Sequence, residues 1–331
     1  MNKKQTEEDL WGVMGKKIDL DLQKYWHLIS KNGILFIFIL LCVLLSIITP
    51  GFLSWANILN VLRQSSIIGI MAIGTTFVII GGGFDISVGS ILALTAAMCV
   101  GLQYHMHWIM AILLVLIIGA LIGLLNGFLA VKIHIPPIIA TLGTMTIVRG
   151  LTYLYTGGYP LYVEAPDFAF IGTGYLGPIP FPVVLLIIMV AFWQFIIART
   201  RFGRYACAIG GNKEAARLSG VKVDYYHILV FIIGGLMASL AGVVYASRLL
   251  SVTPLAGQGY ELDAIASAVI GGTSVSGGEG SVVRTLIGVL LLIIIANVFN
   301  LLGIHIYVQY VVKGAIILSA VGFDTYSKFR Q

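Results

Sequence analysis

RFGRYACAIGGNKEAARLSGVKV fills residues 201–223 and is the most polar internal stretch of an otherwise oily chain. Cytosolic loops of membrane proteins hold an excess of Lys and Arg. The side on which this stretch falls therefore fixes how every apolar segment around it is threaded. The loop 199–225 contains Arg199, Arg201, Arg204, Lys213, Arg217 and Lys222, so it is read as cytosolic.

The segments around it call for a membrane. Of 331 residues, 59% are hydrophobic and only 10% charged, with a mean hydropathy of +0.99; a soluble domain carries about 25% charged residues. Apolar runs fall at about 33–50, 65–82, 86–103, 109–131, 136–156, 180–198, 226–247, 263–273, 282–302 and 305–322. Most approach the ~20 residues that cross a hydrocarbon core as a helix, and none shows the ~10-residue alternation of a membrane barrel. The expected fold is an all-α, polytopic helical bundle of about ten spans (eight to ten), some short or broken.

Parity and charge agree on the threading. With the N-terminus inside, six spans precede residue 199, which places loop 199–225 inside. The 157–179 connection then lies outside; it has no Lys or Arg and carries Glu164 and Asp167. Lys132, His134, Lys328 and Arg330 fall inside, whereas Arg63 and Arg248 are exceptions near an outer boundary. The division follows: a cytosolic tail 1–32, a membrane domain 33–323 with the cytosolic loop 199–225, and a cytosolic tail 324–331. Residues 1–32 do not read as a signal peptide, because no early apolar region leads to a cleavage site. The net charge of +6 follows from this topology, and no nucleic-acid partner is expected. Cys42, Cys99 and Cys207 have neither disulfide nor metal spacing.

Within the polar loop, Asn212 is a good N-cap and Glu214 suits the first turn of a helix. Gly220 can end the helix in the left-handed region. A helix this short is unstable alone, so something must pack on it. Ala215, Ala216 and Leu218 suit insertion into a groove of a soluble partner, with Gly203, Gly210 and Gly211 allowing the bends; the plainer reading is a cytosolic loop charged only by topology.

GRYACAIGGNKEAARLSGV resembles the coupling-loop segment of ribose-type sugar permeases of the ABC importer superfamily. GGGFDISVGSILAL (81–94), IPPIIATLGTMTIVRGL (135–151) and GYELDAIASAVIGGTSVSGGEGS (259–281) are similar to further elements of that family, in the expected order. Glu279 and Arg284 depart from the pattern, standing where a basic residue and a glycine are expected. The resemblance implies an inner-membrane permease that works with a second permease copy, identical or similar. It implies that a cytosolic ATP-binding subunit holds ATP and Mg and contacts Gly210, Gly211, Asn212, Glu214, Ala215, Arg217, Leu218 and Gly220. A periplasmic or lipid-anchored binding protein would deliver ribose or a related monosaccharide, which crosses by alternating access. No cofactor is expected in this chain, and the sequence has no Walker A element.

Polar residues within the apolar runs supply candidates for a pathway or gate: Asp85, Ser87, Asn126, Thr141, Thr144, Thr273 and Ser274. A carboxylate at bilayer centre costs about 2.5–3.5 kcal/mol on insertion scales, so Asp85 faces protein, water or the boundary. It lies either near the path or in a turn that caps the third span. The threonines serve either a hydroxyl-lined pore or close helix packing, and GLLNG (123–127) reads as small-residue packing. Residues 269–281 echo 79–90, as an internal repeat would. Tyr260, Glu261 and Asp263, at the outer end of the eighth span, are candidates to meet the binding protein. The competing function is an ion-coupled secondary transporter of a small polar solute, for which Asp85 is the candidate ion-binding carboxylate. A membrane enzyme lacks any supporting constellation of residues.

Overall fold

Ser54 stops the chain and starts the first long helix, its side chain accepting from the Asn57 amide at 3.4 Å. A computed structural model describes residues 33–329, with side chains through residue 322; the predicted tail 1–32 lies outside the described residues. The thirteen helices are α1 (Gly33–Ile48), α2 (Trp55–Ile80), α3 (Val88–Leu102), α4 (Trp108–Val131), α5 (Pro137–Thr156), α6 (Phe170–Thr173), α7 (Phe181–Arg199), α8 (Arg201–Gly211), α9 (Lys213–Leu218), α10 (Val223–Leu249), α11 (Tyr260–Ile270), α12 (Val282–Leu301) and α13 (Ile306–Phe329). The chain is an all-α membrane bundle, as the sequence predicts. Each predicted span has its helix, and α2, α4, α5, α7, α10 and α12 are long and apolar enough to cross a membrane. Helix α1 belongs to a separate compact unit and carries no ionic side chain.

Helix α2 begins at Trp55 rather than at 65. The apolar reading missed its first turns because they are polar, yet their polar side chains find partners. Asn57 and Asn297 exchange side-chain hydrogen bonds of 3.0 and 2.8 Å. Arg248 donates to Asn60 at 3.0 Å, and Arg63 donates to the Tyr175 hydroxyl while its guanidinium lies 4.9 Å from that ring's centre. The two cations that break the charge rule are thus both tied into the same end of the bundle.

Glycines set the closest helix pair. Gly119, Gly123 and Gly127 recur every fourth residue along α4, where small residues allow backbones to approach. A Cβ on Gly123 would stand 2.3 Å from the Phe231 carbonyl oxygen of α10, and one on Gly119 would stand 2.6 Å from that of Gly235. The Ser239 hydroxyl crosses the same seam to the Val115 carbonyl at 2.7 Å.

The two Gly-rich breaks end their helices in one way. After α2, the Gly82 amide bonds Ile79 O and the Gly83 amide bonds Val78 O; after α11, Gly272 bonds Val269 O and Thr273 bonds Ala268 O. This is the paired 5→2 and 6→1 bonding of a Schellman cap, with Gly82 at φ +79° and Gly272 at φ +81° supplying the left-handed residue. The echo between 79–90 and 269–281 is therefore structural. With its 11 residues, α11 rises about 16 Å, half of a ~30 Å core. Non-helical backbone then continues through 271–281, where Gly271, Thr273, Ser274 and Gly277 are buried while Gly272, Ser276 and Glu279 are exposed.

The 157–179 connection folds over the end of α10. The Ser247 hydroxyl donates to Phe168 O at 2.6 Å and accepts from the Gly172 amide at 2.7 Å. Strands β1 (Leu161–Tyr162) and β4 (Ser251–Val252) pair antiparallel, as do β2 (Tyr175–Leu176) and β3 (Ile179–Pro180).

Candidate functional site

The Thr200 side chain accepts from the Gly203 amide and starts α8, and the Asn212 side chain accepts from the Ala215 amide at 3.0 Å and starts α9. The six-residue α9 is held by its own chain: Ala216 is buried against Ile209 and Val223, with Val221 and Tyr226 around them. The Ser219 amide bonds Ala215 O, and Gly220 turns the chain at φ +80°. Of the three apolar residues grouped together in the sequence, Ala216 thus points inward. Ala215 faces out, and Leu218 is 89% exposed. Arg217 and Glu214 pair at 2.7 Å on the same outward surface, where such a pair adds little stability.

Gly210 packs the end of α8 against the bundle. Its hypothetical Cβ would stand 1.8 Å from Ile80 O at the end of α2 and 2.5 Å from the Gly278 amide nitrogen. Those two atoms are hydrogen-bonded to each other at 2.9 Å. Gly277, at φ +84°, sits where a Cβ would be 3.0 Å from the Gly210 Cα and 3.1 Å from the Gly82 Cα. The Gly-rich loop 271–281, the end of α2 and the end of α8 therefore meet backbone to backbone. Three stretches separated widely in sequence converge on one glycine junction. Gly211 does not share the constraint: its Cβ would meet nothing within 4 Å.

Just beyond that junction lies a buried polar cluster. Asp85 is fully buried; one of its carboxylate oxygens accepts from the Ser87 amide at 2.8 Å and from the Ser87 hydroxyl at 2.6 Å. The Asn126 amide group donates to the other oxygen at 3.2 Å and to Ser87 Oγ at 2.8 Å. The Thr141 hydroxyl accepts from the Ile86 amide at 3.3 Å and donates to Pro137 O at 2.9 Å. Asp85 therefore holds an Asx-type turn three residues before α3, while Ser87 occupies the N-cap position. Thr144 stands apart, its hydroxyl bonded back to Ala140 O at 3.1 Å. Thr273 and Ser274 are buried in the other Gly-rich loop, where the Ser274 amide donates to Glu279 O at 3.0 Å. Arg284, beside it, places its guanidinium 3.7 Å from a would-be Cβ of Gly272.

At the far end of the bundle, Tyr260 and Glu261 are half-buried and Asp263 is buried. Glu261 Oε1 accepts from the Gly259 amide at 3.2 Å. Asp263 faces Lys313 of α13, whose Nζ lies 2.7 Å from Oδ1 and 3.0 Å from Oδ2. Lys313 escaped the sequence reading, although a lone cation in the middle of IYVQYVVKGAIILSAV was a visible signal, because an ionisable residue within a span is rarely there by chance. Arg149 of α5 donates to Pro254 O and Ala256 O at 2.8 and 2.9 Å. Among the described residues no group of three or more His, Cys, Asp or Glu side chains is placed to hold a metal ion.

Residues 57–321 match a family described as branched-chain amino acid transport system / permease component. The ribose import permease protein RbsC of Haemophilus influenzae is 45% identical over 293 residues, 87% of this chain and 91% of that protein. The Bacillus subtilis protein of that name is 45% identical over 288 residues, 86% of this chain and 89% of its own. The L-arabinose transport system permease protein AraH of Escherichia coli is 38% identical over 310 residues, 90% and 92% of the two chains. No solved structure matches.

Proposed function

We propose, from the premise that the chain belongs to the branched-chain amino acid transport system / permease component family, that it is the permease subunit of an ABC importer carrying a monosaccharide. The names of its relatives favour ribose or a similar sugar. The chain is a multi-pass protein of the bacterial inner membrane. The finer threading, with both termini and α9 in the cytosol, rests on the distribution of Lys and Arg.

One observation carries the mechanism: α9 is anchored inward by Ala216, leaves Leu218 outward, and is joined by the single residue Asn212 to a helix whose Gly210 abuts Ile80 and Gly278. A cytosolic ATP-binding subunit, holding ATP and Mg, receives Leu218 and its neighbours in a groove. When that subunit closes, α9 and α8 move as one piece. The motion enters α2 and the Gly-rich loop through the glycine junction, and the Asp85 turn passes it to α3, α4 and α5. A second permease copy completes the pathway, and a binding protein loads it from outside. Alternating access needs such a two-state element biased by the partner.

The test is reconstitution with the ATP-binding subunit and the binding protein in proteoliposomes. ATP-dependent uptake of D-ribose, L-arabinose or D-allose supports the reading. Uptake by this chain alone under a proton gradient would replace it with an ion-coupled carrier, for which the Asp263–Lys313 pair is the feature to examine.

A further inference from the structure

A cavity of about 460 Å³ opens between α2, α11, α12 and α13, at the end of the bundle away from α9. From Ile80, at the glycine junction, to Gln64 on its wall is about 24 Å along α2 at 1.5 Å per residue. The volume falls in the ~300–1,000 Å³ range of small-molecule sites. Its wall mixes two kinds of surface. Gln64, Gln258, Tyr260 and Tyr310 bring amide and phenol groups, and the closed Asp263–Lys313 pair lies among them; Ile293 and Ala296 supply an apolar floor.

We infer that this cavity is a low-affinity holding site for a neutral polyhydroxylated solute, with the Asp263–Lys313 pair as its charged wall. The inference rests on the importer reading and names where its cargo sits. An unpaired charge would select an ion, but here the carboxylate and the ammonium neutralise each other at 2.7 Å. A sugar hydroxyl both donates and accepts. It can therefore bond the carboxylate, the ammonium and the amides in turn while the pair stays closed. No side-chain hydrogen bond joins Gln64, Gln258 or Tyr310 to another described residue, so their polar groups are available. The apolar floor suits the C–H face of a sugar ring, as small-molecule sites combine an apolar lining with a few polar groups.

The test uses the full chain with Cys42, Cys99 and Cys207 replaced by serine and Ala296→Cys added. Alkylation by N-ethylmaleimide is timed with and without D-ribose, and Leu218→Cys serves as the exposed control. D-ribose is expected to slow the Ala296→Cys reaction about threefold at twice its dissociation constant, by simple occupancy. Betaine at the same osmolarity should not slow it, and the Leu218→Cys reaction should not change. The double replacement Asp263→Asn with Lys313→Gln, which keeps a hydrogen-bonding but uncharged pair, is expected to weaken the protection. Equal alkylation with and without sugar, in a protein that imports D-ribose with its partners, overturns the site and leaves the importer reading standing. Sugar-independent shielding with Ala296→Cys cross-linking between two copies also overturns it, by making this face the dimer contact. Failure of ATP-driven uptake in the unaltered complex instead removes the importer reading itself.

Discussion

Replacing Gly210 with alanine is the most direct way to test the glycine junction. The new methyl would stand 1.8 Å from Ile80 O and 2.5 Å from the Gly278 nitrogen. Carbon–oxygen contacts settle near ~3.3 Å, so the end of α8 and the end of α2 must part by about 1.5 Å. Both atoms the methyl strikes belong to the hydrogen bond between Gly278 and Ile80, so moving either disturbs it. Losing a buried backbone bond costs about 1–3 kcal/mol, and overpacking adds about 1–3 kcal/mol. Alanine's better helix propensity returns about 1 kcal/mol. The net expectation is about 1–5 kcal/mol against the native junction. Gly211→Ala is the internal control, since its Cβ meets nothing within 4 Å and the propensity gain stands alone. Thermal unfolding of the purified full chain should show Gly210→Ala lowered and Gly211→Ala level or raised. In the assembled importer, stimulation of ATP hydrolysis by loaded binding protein should fall for Gly210→Ala. Wild-type melting and coupling in Gly210→Ala would refute the junction as the path of force.

The remaining predictions concern separate parts of the molecule. Asn126→Ala removes the donor shared by Asp85 and Ser87 and should cost about 1–3 kcal/mol in thermal unfolding, while Asn126→Asp, which sets a second carboxylate against the first, should cost more. Asn212→Ala deletes the α9 cap and should lower stability by about 1 kcal/mol, with Asn212→Asp close to wild type and coupling reduced only in the alanine variant. Gly123→Val drives a side chain into Phe231 O, 2.3 Å from the Cβ position; α4 and α10 must separate, and detergent-solubilised yield should fall sharply beside a tolerated change at Gly143, which has open space. Leu218→Cys should react with a membrane-impermeant maleimide only in inside-out vesicles; native Cys207 should label slowly there, because burial and Glu279 push its thiol above the usual range, and labelling of Leu218→Cys in intact cells would reverse the topology.

The architecture was largely legible, because apolar length and the placement of cations act over whole segments. The helix–helix seam at Gly119, Gly123 and Gly127 was half visible: the spacing was there, but its partner α10 was not. The beginning of α2 was missed because Asn57, Asn60 and Arg63 look like loop residues until Asn297, Arg248 and Tyr175 are seen to satisfy them. Asp85, Ser87 and Asn126 stand out one by one as polar residues in apolar runs, and no local pattern signals that 39 to 41 positions of separation close into hydrogen bonds of 2.8 to 3.2 Å. Lys313 was missed although visible. Its meaning depends on Asp263, fifty positions earlier, and long-range pairing is what local pattern cannot carry.

The junction also explains why two similar Gly-rich breaks sit where they do. A helix that ends in a Schellman cap satisfies its last carbonyls within its own turn. It can therefore stop inside the membrane without exposing backbone to lipid. The ends of α2 and α11 are both capped in this way. The second loop approaches the end of α8 with glycines, since a Cβ at Gly277 would meet the Gly210 backbone, and one at Gly278 the Gly211 backbone, within 3.0 Å. Contact through backbone leaves no rotamer to absorb a displacement. A shift of α8 must therefore either break the Gly278–Ile80 bond or carry both loops with it. Residues 65–80 of α2 are buried throughout, so α2 cannot slide without repacking its neighbours. On the proposed function, a stroke entering at α9 reaches both broken helices at once, and the wall of the cavity near Gln64 moves as the far end of the same rigid rod.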